Sequence, residues 1–173
     1  MKILSGKLKD NYGKAVKNET EFSVSFENDT LKLLFICYDR AIISKGKSYN
    51  DMLYEGDTVE IFLTLGRKNR YLELEVNPEG VLYAGIVENN AGLNVELLAE
   101  CPFSAVTDKT KVGWQTEMEI PLKSLYPLGF KREDAYFNLF RQDFQGANLY
   151  LYALNPTLKS TFHVVESFIK LEI

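Results

Sequence analysis

Five glutamates, Glu60, Glu73, Glu75, Glu117 and Glu119, fall at alternating positions in stretches that otherwise read as strands. If their strands share one sheet, two of them could face each other as the acid and base of a glycosidase. The competing reading is an acidic, solvated face of a sheet, because no apolar pocket that would raise one carboxyl is evident around them. His163 is the only histidine, which excludes a multi-histidine metal site; beside Phe162 it reads as structural. A haem would need it together with a methionine such as Met52 or Met118. The loops at Asn50-Asp51 and at residues 88–90 could hold Ca²⁺, although no ligand spacing there is diagnostic and loop solubility explains them equally well. No nucleophile motif, P-loop or dinucleotide fingerprint is present. Cys37, in an apolar run, and Cys101, before a proline, read as free thiols rather than a disulfide.

The elements that must position these groups centre on residues 54–80. In 57–65, Val59, Ile61, Leu63 and Leu65 alternate with Thr58, Glu60, Phe62 and Thr64. Gly66-Arg67-Lys68-Asn69 supplies a turn. In 70–77, Leu72, Leu74 and Val76 alternate with Tyr71, Glu73 and Glu75, and Pro78-Glu79-Gly80 ends the run. Period-two patterning predicts a hairpin with one apolar face and one carboxylate-rich, outward face carrying aromatics. The same reading predicts strands at 3–8, 21–27, 31–38 (a central strand, apolar on both faces), 81–87, 114–120, 136–142 and 148–154. It predicts one or two strands in 95–106, broken at Cys101-Pro102, and a final strand over 162–173. Residues 143–146 read as a loop, and Pro121 opens a single helical turn. Trp114 shares a face with Met118 and Ile120 and is assigned to the core. These elements describe one all-β domain, residues 1–173. It is an antiparallel β-sandwich of about ten strands, immunoglobulin-like or jelly-roll-like in class.

Aromatic residues make up 13% of the chain, with ten Tyr and eleven Phe, which suits pleated surfaces and leaves rings for a binding face. The net charge of −4 and the lack of any Lys/Arg block argue against a nucleic-acid partner. No apolar run approaches the ~20 residues of a membrane span, so no membrane partner is expected. No signal-peptide core follows Met1. The protein is then cytoplasmic if the chain is complete, and extracellular if it is an excised module.

The run Tyr54-Glu55-Gly56-Asp57-Thr58-Val59-Glu60-Ile61-Phe62 resembles the family 9 carbohydrate-binding modules, which adopt a DOMON-type β-sandwich. Those modules carry a Trp, where this chain has Tyr54, three residues to an Asp, then Ser/Thr-Val-Glu-Ile-Phe. Further similar segments follow in family order: Glu75-Val76-Asn77, the stretch 113–121, the stretch 137–143, and the closing stretch 162–168. The resemblance implies a non-catalytic module that holds an oligosaccharide or polysaccharide end between two aromatic side chains, helped by polar groups. It places Tyr54 and Phe162 at the aromatic positions, Glu60 at a carboxylate that bonds sugar hydroxyls, and Glu75 and Asn138 among the binding residues. Glu75 stands where sugar-binding members show Arg, and Val165 and Ile169 replace the usual Pro and Gly of the closing motif. No cofactor beyond Ca²⁺ is suggested. The rival readings are a small glycan-processing enzyme using carboxylates of the polar sheet, and a structural or protein-interaction sandwich.

Overall fold

The computed structural model describes the backbone of residues 1–173 and every side chain except that of Lys2. In chain order the strands are β1 (Lys2–Lys7), β2 (Lys9–Asp10), β3 (Thr20–Glu27), β4 (Thr30–Tyr38), β5 (Thr58–Arg67), β6 (Arg70–Val76) and β7 (Leu82–Asn89). They continue with β8 (Leu93–Leu97), β9 (Ser104–Thr110), β10 (Gly113–Pro121), β11 (Tyr136–Gln145), β12 (Asn148–Ala153) and β13 (Ile169–Lys170). A one-turn helix, α1 (Leu122–Leu125), follows β10 behind Pro121. One sheet has the order β1-β3-β4-β10-β9; the other runs β2-β12-β11-β5-β6-β7-β8, with β13 pairing to β11. All pairings are antiparallel, and β4 is central as its two apolar faces suggest.

The apolar half of each alternation meets between the sheets. Val59, Ile61 and Leu63 of β5 and Leu72, Leu74 and Val76 of β6 join Phe22, Val24, Leu33, Phe35, Trp114, Met118 and Ile120 in one buried cluster. Glu117 and Glu119 point outward from β10, in the other sheet from Glu60, Glu73 and Glu75. Gly113 begins β10 at φ 155°, and a Cβ there would sit 1.9 Å from the Cys37 carbonyl oxygen, so only glycine allows β4 and β10 to pair to their ends.

Several expectations change. Residues 143–146 are not a loop: β11 runs through Gln145, paired to β12 across a turn at Gly146-Ala147. The 66–69 turn tightens to Lys68-Asn69, with Arg67 opposite Arg70. Residues 162–173 form no continuous strand; they hold a 3₁₀ turn (Val165–Ser167) and the two residues of β13. The reason is that this segment crosses a sheet face rather than adding to an edge. It sets Phe162 and Phe168 on Phe62, Tyr71 and Phe140 as a second apolar cluster. The face that patterning marks as outward is therefore covered. Thr58, Glu60, Phe62 and Thr64 are all buried, and Tyr71, Glu73 and Glu75 with them. Both cysteines are free, Cys37 buried and Cys101 half-buried.

Truncating the core side of the hairpin, Leu74→Ala, should cost about 2–5 kcal/mol in urea unfolding. Glu117→Ala, on the solvated outer face, should stay within about 0.5 kcal/mol. Thr64→Ala departs from what its polar face alone suggests. Its hydroxyl accepts a bond from the Tyr136 amide at 2.9 Å, so leaving that donor unmet should cost about 1–3 kcal/mol.

Candidate functional site

The covered face is a ladder of cross-strand neighbours. Glu60 on β5 lies opposite Glu75 on β6, and Phe62 lies opposite Glu73. On β7, Tyr83 is opposite Glu75, and Gly85 opposite Glu73. On the other side Phe140 of β11 is opposite Glu60, and Gln142 opposite Thr58. Two adjacent strands thus bring three carboxylates into one patch, with oxygens within 4.8 Å of one another. Gly85 keeps the patch open: a Cβ there would press on the Tyr83 hydroxyl at 3.1 Å and on Val95 at 3.0 Å.

Loops raise walls around this floor. The 3₁₀ turn Leu53–Glu55 presents Tyr54, and the segment after β12 presents Phe162 and His163. The result is a pocket of about 290 Å³ with Glu60, Glu73, Glu75, Tyr83 and Gln142 among its lining. Tyr54 is 51% exposed and stands at the mouth; Phe162, 7% exposed, is stacked at 4.3 Å on Phe140.

The three carboxylates differ in support. Glu60 Oε1 accepts from the Thr58 hydroxyl at 2.9 Å and from Gln142 Nε2 at 3.2 Å, yet burial still pushes the group up to about 7. Burial, then the charge of Glu60, pushes Glu73 up to about 8. Glu75 is raised well above the ordinary range by burial and by both neighbours, and its buried Oε2 has no hydrogen-bond partner. His163 does not offset this charge, because burial lowers it to about 4. Its ring stacks on Phe62 at 5.1 Å. Asn89 donates to Tyr71 Oη (3.5 Å), which leaves the Tyr71 proton for His163 Nδ1 at 2.9 Å. The neutral ring then carries its own proton on Nε2, 3.8 Å from Glu73.

Of the residues that the sequence puts forward, the fold gathers Tyr54, Glu60, Glu75 and Phe162 around this pocket. It leaves Asn138 out. The Asn138 amide is buried and donates to the Asn155 carbonyl at 2.8 Å and to Ser167 Oγ at 3.0 Å. Its oxygen accepts from the Asn155 amide at 3.1 Å, so it pins the C-terminal crossing instead of reaching the pocket. Tyr83 and Gln142 join the site without having been singled out; Glu73, named only as a possible acid or base, and His163, read as structural, join it as well. Glu73 is signalled by its alternation with Glu75 and His163 by adjacency to Phe162, whereas Tyr83 and Gln142 arrive only through strand register.

The loops considered for Ca²⁺ are engaged otherwise. Asp51 accepts from the amides of Lys47 and Ser48, Asn50 bonds Ala84 and Leu98, and Glu88 pairs with Arg67 and Arg70. Among the described residues, two clusters of three carboxylates could hold a cation by geometry: Glu60-Glu73-Glu75, and Asp39-Asp57-Asp143. In the second, Asp39 and Asp143 are already paired with the Arg141 guanidinium at 3.1 and 3.2 Å. Met118 lies in the core between the sheets and His163 beyond the opposite face of the larger sheet, so they cannot share a haem.

No family model matches the chain. An extracellular protein of Arthroderma benhamiae is 24% identical over 185 residues, which cover 93% of this chain and 83% of that protein. Among solved structures, a candidate carbohydrate-binding protein from Bacteroides uniformis superposes with a TM-score of 0.78 at 16% identity, over 96% of this chain and 84% of the other. A family 9 carbohydrate-binding module from Caldicellulosiruptor kristjanssonii, in complex with glucose, gives 0.64 at 16% identity over 93% and 80%. A module of the same family and organism, in complex with cellotriose, gives 0.58 at 17% identity over 87% and 72%. The chain is an all-β sandwich with the fold of the family 9 carbohydrate-binding modules.

The raised carboxyls have a consequence for stability. A carboxyl whose folded value lies above its unfolded one holds its proton more tightly in the folded state. Its stabilising contribution is complete at low pH and is lost as pH rises through the folded value. Asp57, pushed up to about 7 by burial, acts in the same direction as the glutamates. His163, lowered from 6.5 to about 4, opposes them only below 6.5. The melting temperature should therefore fall between pH 6.5 and about 8, the upper value set by Glu73. Glu75→Gln should flatten that fall, and a melting temperature that rises with pH across the window would contradict the assignment.

Proposed function

We propose that the protein is a non-catalytic carbohydrate-binding module, residues 1–173 forming one domain, and that it takes an oligosaccharide or polysaccharide at the Tyr54–Phe162 pocket. The observation that carries this reading is an exposed aromatic ring standing at the mouth of a pocket whose floor is made of carboxylates. A sugar ring has an apolar C–H face and a rim of hydroxyls. Tyr54 can cover the first, and Glu60, already oriented by Thr58 and Gln142, can accept from the second. Proteins of the same fold bound to glucose and to cellotriose support it.

Binding without hydrolysis is favoured because the three carboxylates rise from two neighbouring strands of one sheet face. A glycosidase needs its two carboxyl groups flanking the scissile bond, about 5–9.5 Å apart. The rest of the lining includes Tyr54, Phe162 and a neutral His163.

Covering roughly 60 Å² of a ring face is worth about 1.5 kcal/mol at ~25 cal/mol/Å². Tyr54→Ala should thus weaken binding of a cello-oligosaccharide about tenfold in titration calorimetry. Unchanged affinity with an unchanged circular dichroism spectrum would move the site elsewhere. The isolated chain should release no reducing sugar from any polysaccharide tested; release abolished by Glu60→Gln would overturn the non-catalytic reading.

A further inference from the structure

We propose that the pocket selects a sugar bearing a protonated amine, an amino sugar, whose ammonium group sits among Glu60, Glu73 and Glu75. This rests on the carbohydrate-binding reading and specifies the ligand's charge. Glu60 and Glu75 stand directly opposite each other on neighbouring strands, a placement that is destabilising for like charges. Among the described residues no lysine or arginine lines the pocket, and its one histidine is neutral. Among the described residues, only the protons that burial holds on these carboxyls balance the floor, and an ammonium can take their place.

The second observation is Glu75. It is 2% exposed, it lines the pocket, and its Oε2 has no partner, although buried acceptors are nearly always satisfied. Glu60 shows what a satisfied member of the set looks like, with Thr58 and Gln142 donating to it. The floor thus has an acceptor in place and awaits donors. An ammonium carries three donors and one positive charge, and three carboxylate oxygens within 4.8 Å of one another can receive it as a tripod. Such charge-assisted bonds are roughly twice as strong as neutral ones.

A sugar hydroxyl offers one donor and no charge to replace those protons. A bare divalent cation would balance the charge but leave the ring of Tyr54 uncovered in a pocket of about 290 Å³. An amino sugar uses both halves of the site: its ring meets the aromatic walls and its ammonium meets the floor. The rings of Tyr54 and Tyr83 also tolerate a cation at their faces.

The test is titration calorimetry of the whole chain at about pH 7.5, where Glu60, at about 7, has largely lost its proton and an amine of the α-amino class, at about 7.7–8.0, still largely carries one. The probes are the glucosamine trisaccharide with the linkage of cellotriose, cellotriose itself, the N-acetylated trisaccharide, and calcium chloride alone. The amine form should bind about tenfold or more tighter than cellotriose or the N-acetylated form, with the advantage shrinking as salt is added. In Glu75→Gln the ratio of amine to hydroxyl affinity should fall towards one.

Equal or tighter binding of cellotriose or of the N-acetylated form overturns the inference and leaves carbohydrate binding standing. No binding of any trisaccharide overturns both. Calcium binding that Glu75→Gln removes, with no amine preference, overturns the inference and makes the three glutamates a metal site. The wild-type comparison decides the matter even if the variant does not fold.

Discussion

The buried guanidinium of Arg141 is the constraint on which the rest of the structure depends. It projects from β11 towards the other sheet, with none of its side chain exposed. It pairs with Asp39 at 3.1 Å and with Asp143 at 3.2 Å, and donates to the Thr20 hydroxyl at 2.9 Å. It also reaches the carbonyls of Glu19 and Tyr38, both at 3.3 Å. A charge taken out of water is tolerable only with such partners, and leaving it unpaired is strongly destabilising. The position of β11 against β3 and β4 is thereby set. Side chains alternate along a strand, so holding Arg141 inward holds Phe140 and Gln142 on the opposite face, where they border Glu60.

The same end of the sandwich fixes the mouth of the pocket. Asp57, with an oxygen within 4.8 Å of Asp39 and Asp143, accepts the Phe144 amide at 2.7 Å and the Ile43 amide at 2.6 Å. It therefore ties β11 to the loop that leads to Tyr54 and to the start of β5. On the far side, Asn138 and Ser167 hold the C-terminal crossing that carries Phe162 and His163. The floor comes from rigid strands and the walls from loops anchored by buried polar bonds, an arrangement that keeps a binding site in one shape.

What the fold holds in place is locally unfavourable. Three carboxyls are kept out of water beside one another, and one of their oxygens is unmet. A sheet selected for stability alone would carry apolar or complementary residues there. Sites where local rules are broken while the surroundings remain consistent are the ones where function is expected.

The alternation in residues 57–65 and 70–77 was enough to define the hairpin, its two faces and its core half, because a strand's side-chain period is a property of the chain itself. The same holds for the helical turn behind Pro121 and for the central place of β4. Two things lay outside its reach. Patterning identifies residues that share a face of one strand, but it does not say which strand lies alongside. That Glu75 meets Tyr83, or that Gln142 reaches Glu60, follows from long-range register alone. Nor does patterning say what covers a face. The polar side of the hairpin reads as solvated, yet the crossing of residues 155–168 buries it. That crossing has no period of its own, being held by the Asn138 amide and by Phe162 and Phe168 packing on distant rings. Only the tertiary structure converts an acidic sheet face into a pocket with a buried floor, because desolvation is set by what the chain lays over a group and not by its neighbours in sequence.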